Sequence, residues 1–206
     1  MKIRWGRWGA GILAAAMLFA GVPQADAAEK ISGDIYQWVQ STSRQNYYFN
    51  KQQIYFAANE KGELNPDSVL VPVLKTYDSV QIQDIVSKRR WKSLPTAGYG
   101  DLAGCAEYLK FNLKEDTVQV MRHEDLDSDW GTLDSTASDS VKKISELSEK
   151  DVDGKFYRSI LQYVEAHKME IAERTQTVKK LVLTDKAKKQ LRGEKEKSAE
   201  KKKKHR

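Results

Sequence analysis

Apolar residues recur along the chain at two spacings, and the change from one to the other divides it. Tyr47-Tyr48-Phe49 and Ile54-Tyr55-Phe56 are short β-favouring runs, separated by Asn50-Lys51-Gln52-Gln53 as a close turn. After the polar stretch NEKGELNPDS, Val69 to Tyr77 reads as a further strand. Pro72 has no N–H to give to a ladder, which predicts an edge position or a bulge there. A helical spacing follows: Asp78 or Ser79 caps, Ile82, Ile85 and Val86 share a face, and Lys88 to Arg90 stand where the dipole favours cations. Tyr108 to Leu113 alternates, turns at Lys114-Glu115-Asp116 and returns through Val118 to Met121, a hairpin with one wet face. Thr132 to Ser135 adds a short strand. Tyr157, Ile160, Val164, His167, Ile171, Val178 and Leu181 then follow steps of three and four. That spacing predicts a long amphipathic helix over residues 154–183, capped by Asp151 or Asp153. Strands first and a helix last predict an α+β fold, an antiparallel sheet with packed helices.

The two ends change the picture. Lys2, Arg4 and Arg7 precede an apolar run from Ala10 to Val22, and Ala25-Asp26-Ala27 supplies small residues for a signal peptidase. Residues 1–27 therefore read as a secretory signal peptide, which makes the chain exported, to the periplasm or the cell surface, with no membrane span after cleavage. From Thr184 the chain carries eleven Lys or Arg against four acids, net +7, and has almost no apolar residues after Leu191. Residues 184–206 accordingly read as a disordered Lys-rich tail. Lys201, Lys202, Lys203, Lys204 and Arg206 are its candidate contacts to anionic envelope polymers or lipids. The tail's +7 and the leader's +2 together exceed the chain's +6 by three, so residues 28–183 are net −3. An acidic body argues against a nucleic-acid partner, which needs a basic face on the fold itself. The organisation is thus a signal peptide (1–27), an α+β domain (28–150), an amphipathic helix (151–183) and the tail (184–206).

Candidate chemistry is thin. Cys105 is the single cysteine and sits in Leu102-Ala103-Gly104-Cys105, the pattern that marks bacterial lipoproteins for acylation. Acylation needs the cysteine directly after the leader, whereas Cys105 lies deep in the mature chain, so it reads as a small buried residue entering a strand. His123 stands near Asp125, which orients a base in many enzymes, and a Cys105–His123 pair is the sharpest enzymatic alternative: a small secreted or periplasmic enzyme. Gly-x-Ser-x-Gly and His-Glu-x-x-His are absent. Asp125, Asp127 and Asp129 imitate the start of a calcium loop, but Trp130 occupies the glycine position and Thr136 that of the bidentate Glu, which leaves a polar turn. No cofactor and no metal site is expected.

Some of these blocks resemble a bacterial domain type. The aromatic block at Tyr47, YYFNKQQI, resembles the opening of surface-adhesin protein E-like domains, and Trp38 lies upstream where those domains often carry Trp. Val71-Pro72-Val73-Leu74-Lys75 is similar to their central strand, with Leu74 in place of Trp. Residues 106–135 resemble their paired strands around an acidic turn, with Ser128 in the acidic position. The resemblance implies an antiparallel sheet with packed helices, exposed at the cell envelope, and in some members binding of host matrix proteins. The resulting expectation is a non-enzymatic, adhesin-like recognition module. Tyr47, Tyr48 and Tyr55 are its candidate recognition residues, and a protein is one candidate ligand.

Overall fold

The computed structural model describes residues 31–193. The stretch read as a signal peptide (1–27) and the candidate surface contacts Lys201, Lys202, Lys203, Lys204 and Arg206 lie outside them. The chain forms β1 (Tyr36–Ser41), β2 (Gln45–Asn50), β3 (Tyr55–Ala58), β4 (Leu64–Tyr77), helix α1 (Ser79–Trp91), β5 (Leu102–Asn112), β6 (Thr117–Asp127), β7 (Thr132–Ala137), β8 (Val141–Lys143), α2 (Val152–Lys179) and α3 (Asp185–Leu191). The eight strands make one antiparallel sheet, so the fold is α+β with a long C-terminal helix. Its order is β1-β2-β4-β5-β6-β7, with β3 following β2 along β4 and β8 following β7 outward along β6.

The long strands β4, β5 and β6 form the centre. β2 and β3 do not make a hairpin with each other; both run antiparallel to β4, from Phe49 opposite Val73 to Tyr55 opposite Leu70. The NKQQ segment is a turn in which Asn50 Oδ1 accepts from the Gln52 and Gln53 N–H groups, each at 3.1 Å. Val71 and Pro72 fall where neither β2 nor β3 offers a partner, so the proline sits in an interior strand at the one stretch whose flank is open.

One face of the sheet carries the core. Tyr47, Phe49, Val69, Val71, Val73, Leu109, Phe111 and Val118 meet Phe156, Tyr157, Ile160, Val164 and Ile171 of α2. Aromatic rings meet edge to face, Tyr47 with Phe156 at 5.3 Å and Phe49 with Tyr163 at 5.0 Å. Each large apolar side chain buried there contributes about 1.5–3 kcal/mol. Asp151 caps α2 by accepting from the Gly154 N–H. The helix kinks at His167, whose ring stacks on Tyr163 at 4.0 Å and whose Nδ1 lies 2.9 Å from the Tyr163 carbonyl. Thr175 is fully buried, accepts from the Phe56 N–H at 3.0 Å and donates to the Ile171 carbonyl at 2.7 Å. Thr175→Val keeps the shape and removes that acceptor, so it is expected to cost about 1–3 kcal/mol in urea unfolding. A wild-type midpoint would show that the Phe56 amide finds another partner.

The first part of the Lys-rich stretch is folded. Thr184 caps α3, accepting from the Ala187 N–H at 3.2 Å, and Ala187 and Leu191 are buried in the same core as α2. Gln190 reaches Asp67 at 2.6 Å, and Val182 bridges Glu63. Residues 184–191 are therefore a packed helix rather than disordered tail. Two apolar residues four apart, among lysines, were enough to anchor one short helix against the sheet.

A bulge in β6 decides what the rest of that face carries. Leu109 pairs with Val120 and Tyr108 with Arg122, leaving Met121 as an extra residue. Val120 packs on the core, and after the shift His123 and Asp125 continue on that face while Arg122 and Glu124 turn to the other.

Candidate functional site

Beyond the apolar core, the same sheet face becomes polar, and the ladder pairing explains the positions. Tyr47, Lys75, Cys105, Asp125 and Asp134 stand side by side on successive strands, and the next row holds Phe49, Val73, Glu107, His123 and Thr136. Cys105, Glu107, Leu109 and Phe111 share one face of β5 at the strand period of two. Helix α1 lies over this end of the sheet, capped by Asp78 accepting from Gln81. It covers a cleft of ≈350 Å³ whose walls include Tyr77, Arg89, His123, Asp125, Asp134 and Thr136.

The charges in it alternate. Lys75 Nζ lies 2.9 Å from Glu107 Oε2 and 3.9 Å from Asp153 Oδ1. Glu107 Oε1 lies 3.3 Å from His123 Nδ1, and Asp125 Oδ1 lies 3.1 Å from His123 Nε2. Tyr99 donates to Asp125 Oδ2 at 2.7 Å, and Arg89 reaches Asp134 at 2.7 Å and Asp125 at 3.6 Å while stacking over the Tyr99 ring. A ring whose two nitrogens both face carboxylates must donate from both, which makes His123 an imidazolium. The hydrogen bond to Asp125, with those to Cys105 and Glu107, outweighs burial and pushes its pKa up to about 12. Burial raises the Glu107 carboxyl, but the His123 hydrogen bond and the Lys75 charge bring it down to about 2. Asp125 is lowered in the same way, burial being overcome by the bonds from His123 and Tyr99. Lys75 is held above its ordinary range, because its acidic neighbours, Glu107 first, outweigh burial.

These shifts set opposite limits. Glu107, held low, stabilises the fold above its ordinary 4.5 and loses that contribution as pH falls toward 2. His123, held high, stabilises it fully below its ordinary 6.5 and loses that contribution as pH climbs toward 12. Unfolding free energy is thus expected to be greatest between these ordinary values and to decline on both sides. The His123 side chain is 34% exposed, so solvent screening holds its share to about 1–2 kcal/mol. Denaturant unfolding across pH, with His123→Gln beside the wild type, reads this directly. An alkaline limb unchanged in the variant would refute the assignment.

The structure brings the proposed enzymatic pair together: Cys105, Glu107 and His123 each offer a donor atom within 4.8 Å of the others. It does not give them a base–nucleophile arrangement. Cys105 is 1% exposed, and an imidazolium donating through both nitrogens has no lone pair to take a thiol proton. The acids of the calcium-like stretch diverge: Asp125 points under α1, while Asp127 holds the β6–β7 turn by accepting from Asp129 and Gly131.

The recognition tyrosines separate as well. Tyr47 is buried against α2 and is a core residue, not a contact surface, because it faces inward opposite Lys75. Tyr48 faces the opposite side, half-buried. Tyr55 is half-buried under the Lys179 ammonium, 4.6 Å from its ring centroid. The sheet face away from α2 instead presents a shallow cleft of ≈540 Å³ with Tyr36, Pro72, Leu74, Tyr108, Leu126 and Trp130 in its walls. Arg122 stacks on Tyr108 at 4.0 Å. The sequence reading passed over Lys75, Glu107, Arg89 and Tyr108. For Lys75 and Glu107 the signal was present, since both occupy inward positions of otherwise apolar alternations.

At the end of α1, Arg89 turns inward, and its neighbours do not. Lys88, Arg90 and Lys92 are exposed, Leu94 is 45% exposed, and Trp91 is 88% exposed. Among the described residues, no helix is long and apolar enough to cross a membrane. The chain matches no family model, no curated protein and no solved structure. The protein E-like resemblance stays a reading of the sequence.

Proposed function

We infer that the chain is an exported, non-enzymatic recognition module of the cell envelope that engages anionic envelope surfaces through the tip of α1. The observation that carries this reading is Trp91, 88% exposed among Lys88, Arg90 and Lys92. An indole left in water at a basic tip has no role in the core. Tryptophan favours the boundary of a lipid layer, and each Lys or Arg near an anionic surface contributes about 1 kcal/mol. The leader sequence supports an envelope location. The aromatic cleft on the far face supports a second contact, with a protein ligand.

Flotation of the mature chain with vesicles tests the reading. Vesicles containing anionic phospholipid should carry the protein and purely zwitterionic ones should not, and Trp91→Ser should reduce the bound fraction several-fold with an unchanged melting curve. Equal binding to both compositions, or no effect of Trp91→Ser, would overturn it. Mass spectrometry of the envelope-associated protein should find an N-terminus at Ala28.

A further inference from the structure

We propose that Cys105, Glu107 and His123 form a binding site for one borderline divalent metal ion, of the zinc class, at the inner end of the cleft beneath α1. From the sequence no metal site is expected, and Cys105 with His123 is weighed only as an enzymatic pair. The pairing of β5 with β6 changes that expectation. Glu107 follows Cys105 by one strand repeat and sits directly opposite His123 in the β5–β6 ladder.

Three features point to a ligand set rather than a simple ion-pair cluster. First, Glu107 Oε1 and His123 Nδ1 are joined by a long hydrogen bond of 3.3 Å, more than the about 2.7–2.9 Å usual when it is charge-assisted. Two ligands held at about 2.0–2.1 Å from a tetrahedral ion lie about 3.3 Å from each other. Second, the other ring nitrogen already faces a carboxylate, Asp125 at 3.1 Å, which is itself fixed by Tyr99 and Arg89. A metal-ligating histidine almost always has such a partner, because it sets the tautomer and the ring plane. Third, Lys75 occupies Glu107 Oε2 and leaves Oε1 for the ion.

The charge also balances. Binding breaks the Cys105 S–H bond and the His123 Nδ1–H bond, and both protons leave to solvent as one doubly charged ion enters. The net charge of the cluster is unchanged, so Lys75, Arg89 and Asp134 keep their partners. Thiolate, imidazole and carboxylate are the donor types zinc takes, and three protein donors leave the fourth tetrahedral position to water or to a small anion.

The full-length chain titrated with Co²⁺ under reducing conditions tests the proposal. Because Cys105 is the single cysteine, a saturable thiolate-to-cobalt charge-transfer band at one equivalent assigns the site without any variant. Zn²⁺ should abolish the band by displacement, and Cys105→Ser should lack it. Asp125→Asn, which loosens the ring without removing a ligand, should weaken binding about 10–100-fold. Cobalt or zinc bound without a sulfur band, affinity untouched by Cys105→Ser, or no saturation at one equivalent would overturn the proposal.

Discussion

Gly104→Ala is expected to leave no folded protein at physiological temperature. A Cβ at this position would lie 2.2 Å from the Lys75 carbonyl oxygen and 3.2 Å from both the Lys75 carbonyl carbon and the Thr76 Cα. All three are backbone atoms of β4, so no rotamer change relieves the collision. Gly104 pairs with Thr76 and stands beside an irregularity between Leu102 and Gly104 in the β5–β6 ladder, where backbones draw close. Restoring ordinary contact would separate two central strands at the residues that carry Lys75 and Cys105. A loss above about 4–5 kcal/mol is expected, comparable with the whole stability of many domains. Gly100→Ala, with nothing within 4 Å of its Cβ, is the control and should melt with the wild type. A Gly104→Ala protein with a wild-type far-UV spectrum and melting point would mean that the strands are farther apart than described.

Lys75→Met is expected to have the next largest effect. Lys75 is 8% exposed, lies 5.4 Å from the Tyr47 ring centroid and holds Glu107. Removing the ammonium leaves a buried carboxylate with His123 as its one remaining cation, and breaking a buried pair from one side costs about 3–5 kcal/mol. Adding Glu107→Gln should recover much of that loss, because the stranded charge goes with it. Arg44→Met, at an ion pair with Asp84 whose side chains are nearly half exposed, is the comparison and should cost no more than about 1 kcal/mol. Equal effects of Lys75→Met and Arg44→Met in urea unfolding would contradict the burial of the Lys75–Glu107 pair.

The fold class was legible because alternation and helical spacing are local. The hairpin around Lys114-Glu115-Asp116, the helix opened by Asp78 and the seam from Tyr157 to Ile171 each declare themselves within a few residues. β1 was not legible: Tyr36 lines the far face, Val39 and Gln40 both turn toward α2, and a register shift between Trp38 and Gln40 breaks the alternation. α3 escaped because lysines dominate its composition while two small contacts, Ala187 and Leu191, hold it. The polar cluster was half legible. Cys105 and His123 drew notice by residue type, but their meeting depends on pairing between β5 and β6. Lys75 and Arg89 come from a third strand and a helix, and no local pattern ties them to either residue.

Met121 turns the length of β6 into a choice between faces. Upstream of it the inward phase holds Val118 and Val120, and downstream it holds His123 and Asp125. The strand is therefore two alternations spliced out of step, with the splice at one residue. Deleting Met121 would fuse them into one unbroken alternation, with Arg122 following Val120 opposite Tyr108 and with His123 and Asp125 still beneath α1. Every partner across β5 would survive, and only the extra twist of the bulge would go. Substitution tests a side chain, whereas a single deletion here tests whether the bend of the strand, with its pairing unchanged, sets the distances within the cluster.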